Sequence, residues 1–119
     1  MFPYERFDAW KRCDELAIAV YEATRQWPRS ELFGLTAQAR RAAFSAPANI
    51  VEGSAKLGSR EFRRYLGIAL GSLAELSYIL LFARRIGLLT EDDWRRLEGI
   101  RNQAGRLTWF LCKSLDRRE

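Results

Sequence analysis

Apolar residues along this chain recur at steps of three and four rather than two, and turn dipeptides are scarce, so helices are expected and a sheet is not. Four helical segments follow. The first runs from about Asp8 to Trp27 and aligns Trp10, Cys13, Ala17, Val20, Tyr21 and Thr24, with Asp8 placed to cap it and Pro28 to stop it. The second runs from Glu31 or Leu35 to Glu52, with Ser30 as a candidate cap and Gly53 as its expected end. The third, Ser59 to Ile86, carries Phe62, Leu66, Ala69, Leu73, Leu76, Leu80 and Ala83 as one stripe and stops at Gly87. The fourth opens at "TEDD", where Thr90 is a good cap and three carboxylates suit the positive end of the helix dipole. Its stripe is Leu97, Ile100, Ala104, Leu107, Leu111 and Leu115.

Helices of about 20–27 residues are ~30–40 Å long. Most connections are short, which sets neighbours antiparallel. The expected fold is all-α, an antiparallel up-and-down four-helix bundle forming a single domain over residues 1–119.

The second helix departs from a simple amphipathic pattern. Leu35, Ala39, Ala42, Ala43, Ala46 and Ile50 make one stripe of mostly small side chains, while Phe44, Pro47 and Val51 make a second. Between them runs a polar ladder of Gln38, Arg41, Ser45, Asn49 and Glu52. Either the second strip is covered within the chain, or Phe44, Pro47 and Val51 meet another subunit. The third helix adds Gly67 and Gly71, four apart, with Tyr78 on the same side, a spacing that permits close helix approach inside the bundle or between subunits. Pro47 sits inside continuous periodicity, so a kink is expected there rather than a break, with Ser45 near enough to satisfy a freed backbone group.

Composition narrows the chemistry. The chain of 119 residues has no histidine, which removes Ser-His and Cys-His nucleophile pairs, the Glu-x-x-His ligands of di-iron bundles and most zinc sites. No cofactor, metal or catalytic residue is expected. Cys13 and Cys112 fit no paired motif and read as small apolar residues of a reducing cytosol. "MFPYERFDAW" becomes charged at once, unlike a secretory signal. The run Gly67–Ala83 falls short of a membrane span and contains Glu75, so a soluble, cytoplasmic protein with no membrane partner is expected. The net charge of +5 raises the odds of a polyanionic partner, and most of the excess lies in residues 60–119.

The series Pro28, Glu31, Gly34-Leu35, Gln38, Arg41-Ala42, Ser45, Asn49 and Glu52-Gly53 continues through Phe62, Leu66, Gly71-Ser72-Leu73 and Glu75. It resembles the four-helix bundle family named for proteins encoded in 23S ribosomal RNA intervening sequences. Val51 departs from the alanine common there. The resemblance implies a left-handed antiparallel bundle that assembles as a barrel-like homopentamer. A related branch, the accessory proteins of diversity-generating retroelements, partners a reverse transcriptase and nucleic acid through a basic surface. That role transfers to this chain only as an analogy of fold.

Three groups of residues compete as sites. Glu52 and Glu75 could act as paired carboxylates, but nothing completes an acid–base centre around them. The structural alternative is a buried or half-buried network of Gln38, Arg41, Ser45, Asn49, Glu52 and Glu75 that fixes helix register, with Arg41 neutralising a carboxylate. On the fourth helix, Arg95, Asn102, Arg106, Lys113 and Arg117 recur at steps of seven and four. They form a basic stripe of ~33 Å, comparable to one turn of duplex nucleic acid, which Arg63, Arg84 and Arg85 on the third helix would extend. RNA, DNA or a nucleic-acid-processing protein is the partner this stripe suits, and a merely solvated helix face is the alternative. Trp94 and Trp109 flank the apolar stripe of the fourth helix and are expected to pack at the core's edge rather than stack on bases.

Overall fold

The computed structural model describes residues 2–116. They form four α-helices, and no strand occurs among them: α1 (Asp8–Thr24), α2 (Leu35–Ser54), α3 (Ser59–Arg85) and α4 (Glu91–Asp116). Short 3-10 turns occupy Pro3–Arg6 and Arg29–Glu31. The helices pack in ring order α1–α2–α3–α4, each against two neighbours, with no backbone contact between the diagonal pairs. The assembly measures 46 × 23 × 23 Å, about one long helix by two helix diameters.

The buried stripes are largely those the periodicity marks. Leu16 and Val20 of α1, Ile50 of α2, Leu66, Leu73, Leu76 and Leu80 of α3, and Leu97 of α4 are fully enclosed. Ala39, Ala42, Ala43 and Ala46 line the inner face of α2, and their small size lets its neighbours come close. Cys13 is buried, and burial pushes its thiol up to about 11 against the lesser, opposite effect of its contact with Thr108. Both cysteines are free.

Helix ends differ from the sequence expectation in instructive ways. Asp8 is the first residue of α1 rather than its cap, and no side chain caps that end. The helix stops at Thr24, short of Trp27, the residue for which the following Pro28 disfavours helical geometry. The chain tightens there to three-residue hydrogen bonds, Trp27 N–H to the Thr24 carbonyl among them, and Trp27 turns into the core. Ser30 lies in a 3-10 turn, and Gly34 takes the cap position of α2. Helix α2 continues through Gly53 to Ser54 and is not broken at Pro47. The Ser45 hydroxyl, expected to help a backbone group freed by Pro47, is engaged elsewhere. By contrast Thr90 caps α4 through the Asp93 N–H at 3.1 Å. At the end of α3, Gly87 has φ 84° and the Leu88 N–H reaches the Ala83 carbonyl at 2.8 Å, a Schellman closure that glycine makes without strain.

Helix α3 is long and apolar enough to cross a bilayer by length and composition. Its inner stripe instead forms the centre of the bundle core, while Ile68, Tyr78 and Phe82 leave its outer face apolar and exposed.

Candidate nucleic-acid interface

The polar ladder of α2 resolves into two parts. Ser45 and Asn49 are half-buried and belong to a hydrogen-bonded cluster with Ser72 of α3. The Ser45 and Ser72 hydroxyls lie 2.8 Å apart, and the Asn49 amide donates to the Ser45 carbonyl at 2.8 Å and to its hydroxyl at 3.0 Å. Gln38, Arg41, Glu52 and Glu75 are exposed, and their side chains make no hydrogen bond or ion pair among the described residues. Among the described residues Arg41 therefore neutralises no carboxylate. The fastening is a neutral serine–asparagine cluster, and Ser72 is the member that periodicity on α2 alone could not supply.

The apolar strips separate in the same way. Pro47 is buried by its own chain and Val51 half-buried, whereas Phe44 is 63% exposed. All three border an apolar groove of about 460 Å³ between α1 and α2, together with Trp10, Ile18 and Tyr21. Gly67 and Gly71 are exposed, and a Cβ added at either would meet nothing within 4 Å, so neither serves close packing inside the bundle. Tyr78, on the same side of α3, is 62% exposed.

The basic stripe of α4 is interrupted by its own helix start. Glu91 accepts from Arg84 at 2.6 Å and from Arg95 at 3.0 Å, and these two hydrogen bonds, Arg84's the stronger, hold its carboxyl below the usual carboxylate range. Arg84 also lies over the Trp94 ring, 4.5 Å from its centroid. Asp92 and Asp93 share that first turn. Arg84, one-third exposed, is thus committed to Glu91, whereas Arg95 shares that carboxylate at the surface and Arg85 and Arg106 remain exposed. Arg117 lies outside the described residues.

At the other end the cations converge. The first turns of α3 lie beside the last turns of α4, and Arg63 meets Asp116 at 3.0 Å. A groove of about 510 Å³ opens there, bordered by Arg60, Arg63, Arg64 and Lys113, with Leu70 and Trp109 as apolar walls. Arg64 pairs loosely with Glu61 (3.5 Å) and Lys113 with Asp116 (3.7 Å), all four side chains being substantially exposed. Such surface pairs are worth little and part readily. The Arg60 side chain makes no hydrogen bond or ion pair among the described residues. Arg60 and Arg64 escape a reading of α4 alone. The signal for them was "SREFRR", whose arginines come to face Lys113 once α3 starts where α4 ends.

Trp94 packs against the core, as its place beside the apolar stripe suggests. Trp109 does not: it is 47% exposed beside Phe110, itself 56% exposed, with ring centroids 5.2 Å apart in an edge-on arrangement.

Comparison with known proteins agrees with this architecture. A crystal structure at 1.70 Å of a protein of unknown function from the S23 ribosomal protein family of Bacteroides thetaiotaomicron VPI-5482 superposes with a TM-score of 0.79 at 21% identity. The match covers 88% of this chain and 98% of that one, and at such identity it speaks for the fold alone. No curated protein matches. The sequence pattern of the family described as 23S rRNA-intervening sequence protein matches residues 5–109, which take in α1, α2, α3, most of α4 and the serine–asparagine cluster. The chain belongs to the 23S rRNA-intervening sequence protein family.

Proposed function

We propose that this protein is a non-catalytic, oligomeric accessory module of the cytoplasm that binds nucleic acid, or a nucleoprotein, through the cationic groove between α3 and α4. The observation that carries this is the convergence of Arg60, Arg63, Arg64 and Lys113 on one groove. Phosphate oxygens are what such a set of forked and point cations holds well, without regard to sequence. Arg85 and Arg106 would extend the field, while Arg84 and Arg95 are held back by Glu91.

The bundle itself is read as up-and-down, antiparallel and left-handed. The contacts of α3's start with α4's end (Arg63–Asp116) and of α3's end with α4's start (Arg84–Glu91) support the antiparallel part. The handedness follows the family resemblance. So does assembly as a homopentamer, for which the exposed Phe44 and Tyr78 and the open space over Gly67 and Gly71 offer contact surface. Exposed Gln38, Arg41, Glu52 and Glu75 would then find their partners across subunits.

The alternative is a purely structural or protein-adaptor oligomer. The Arg84–Glu91–Arg95 cluster favours it, since two cations of the expected stripe are satisfied within the chain. Retention on an RNA or DNA column at low salt separates the two. The wild-type oligomer should be retained, and Arg64→Glu with Lys113→Glu should abolish retention while Arg95→Gln leaves it. A wild type that passes unretained overturns the nucleic-acid reading and leaves the adaptor.

A further inference from the structure

We infer that the groove between α3 and α4 takes a single-stranded segment of nucleic acid, with an unpaired base stacked on the indole of Trp109. This rests on the nucleic-acid reading above and adds to it the strandedness of the ligand and the residue that selects it.

Two observations carry the inference. The first is the aromatic pair. Trp109 and Phe110 are adjacent on α4, about half exposed, and set edge-on at 5.2 Å, so much of their apolar surface is left uncovered by the chain. Trp109 is also a wall of the cationic groove, and the Lys113 ammonium lies 5.5 Å from its ring centroid. A flat aromatic surface between cations matches a strand whose bases are free and whose phosphates lie alongside. In a duplex the base faces are stacked on one another, and an indole at the surface has nothing to stack upon.

The second is the distribution of charge along α4. A duplex tracked along the helix needs phosphate contacts over much of its length. Here the far end of the helix is acidic, with Glu91, Asp92 and Asp93 in its first turn and Arg95 bonded to Glu91. Only at the other end do cations available to phosphate cluster: Arg60, Arg64 and Lys113 meet within the first two turns of α3 and the last turns of α4, with Arg63 held in place by Asp116, whereas the exposed Arg85, Arg96 and Arg106 stand apart from that groove. Such a footprint suits a few consecutive nucleotides rather than a helical turn of duplex.

The test uses the full-length protein in its native assembly, with a fluorescein-labelled 20-nucleotide oligo(U) and a 20-base-pair RNA duplex as probes at 50 mM salt. Anisotropy should show tighter binding of the single strand. Trp109→Ala should weaken single-strand binding by about tenfold, as loss of one stacked base does, and leave duplex binding unchanged. Trp109→Phe, which keeps an aromatic face, should retain most of the affinity. If Trp109→Ala fails to fold, the wild type serves instead: oligo(U) should quench its indole emission, and Trp109→Phe should remove that quenching. Equal affinity for both probes, or a groove indifferent to Trp109, overturns the single-strand inference and leaves nucleic-acid binding standing. Binding of neither probe overturns both. A Trp109→Ala protein of altered oligomer mass would make the aromatic pair a subunit contact, and that too overturns the inference.

Discussion

Gly53 of α2 lies directly against Tyr65 of α3: a Cβ built on Gly53 would come within 2.7 Å of the Tyr65 Cβ and 3.0 Å of the Phe62 ring. The residue that looks in sequence like a helix terminator is a packing site, buried inside the last turn of α2. Neither obstacle is the far end of a flexible chain, since one is a Cβ and the other an aromatic ring at the helix seam. Gly53→Ala should therefore destabilise the fold by about 1–3 kcal/mol through overpacking, despite alanine's better helix propensity. Urea denaturation reads this directly as a lowered midpoint with an unchanged slope.

The opposite outcome is expected at Gly71, where an added Cβ meets nothing within the chain. Gly71→Ala should raise the intrinsic stability of α3 by roughly 0.5–1 kcal/mol, the usual gain in an exposed helix interior. Gly71→Leu should split the assembly if α3 forms the subunit contact. Light scattering after gel filtration measures the mass. An unchanged mass for Gly71→Leu, with an unchanged melt, would remove this face from the interface.

The serine–asparagine cluster and the exposed carboxylate beside it predict unlike effects. Ser45→Ala deprives both Ser72 and Asn49 of a half-buried partner and should cost about 1 kcal/mol. Glu52→Ala removes a side chain that makes no hydrogen bond or ion pair among the described residues and should stay within about 0.5 kcal/mol for the dissociated subunit. A double-mutant cycle of Ser45→Ala and Ser72→Ala should show coupling, because both changes break one contact. Additive effects would mean that the two hydroxyls stabilise the fold independently.

These residues also mark what the sequence made legible. The four helices, their inner stripes, the Thr90 cap and the Gly87 stop follow from local chemistry, which acts within a turn or two of chain. The outer face of α2 was less legible, because a wheel drawn for one helix shows which residues align but not which neighbour, if any, covers them. Hence Pro47 turned inward, and Arg41 and Glu52 outward. The cationic groove was half visible. Lys113 and Arg63 stood out on their own helices, whereas Arg60 and Arg64 gained meaning only where α3's beginning meets α4's end. Trp109 was misjudged for a related reason: its place beside the stripe was right, but no third helix reaches over to cover it.

Acid should weaken one identifiable feature. The Glu91 carboxyl is held below its ordinary range by hydrogen bonds from Arg84 and then Arg95. An unfolded glutamate titrates near about 4.3. The folded form binds its proton less readily, so the pair stabilises above that pH and is lost as pH falls through the lower folded value. Glu91→Gln should melt below the wild type at pH 7, and the gap should close in strongly acidic buffer. A gap that persists at low pH would mean that the glutamate's charge is not what holds the Arg84 and Arg95 side chains.

Phosphate contact by the α3–α4 groove is tested most directly by the salt dependence of nucleic-acid binding. For a single strand, the slope of log affinity against log salt is about −0.7 per neutralised phosphate. Engagement by Arg60, Arg64 and Lys113 predicts a slope of roughly −2 on that scale, and Lys113→Glu should make it shallower by close to one contact. A slope near zero, or one that Lys113→Glu leaves untouched, would contradict the assignment of this groove to nucleic acid.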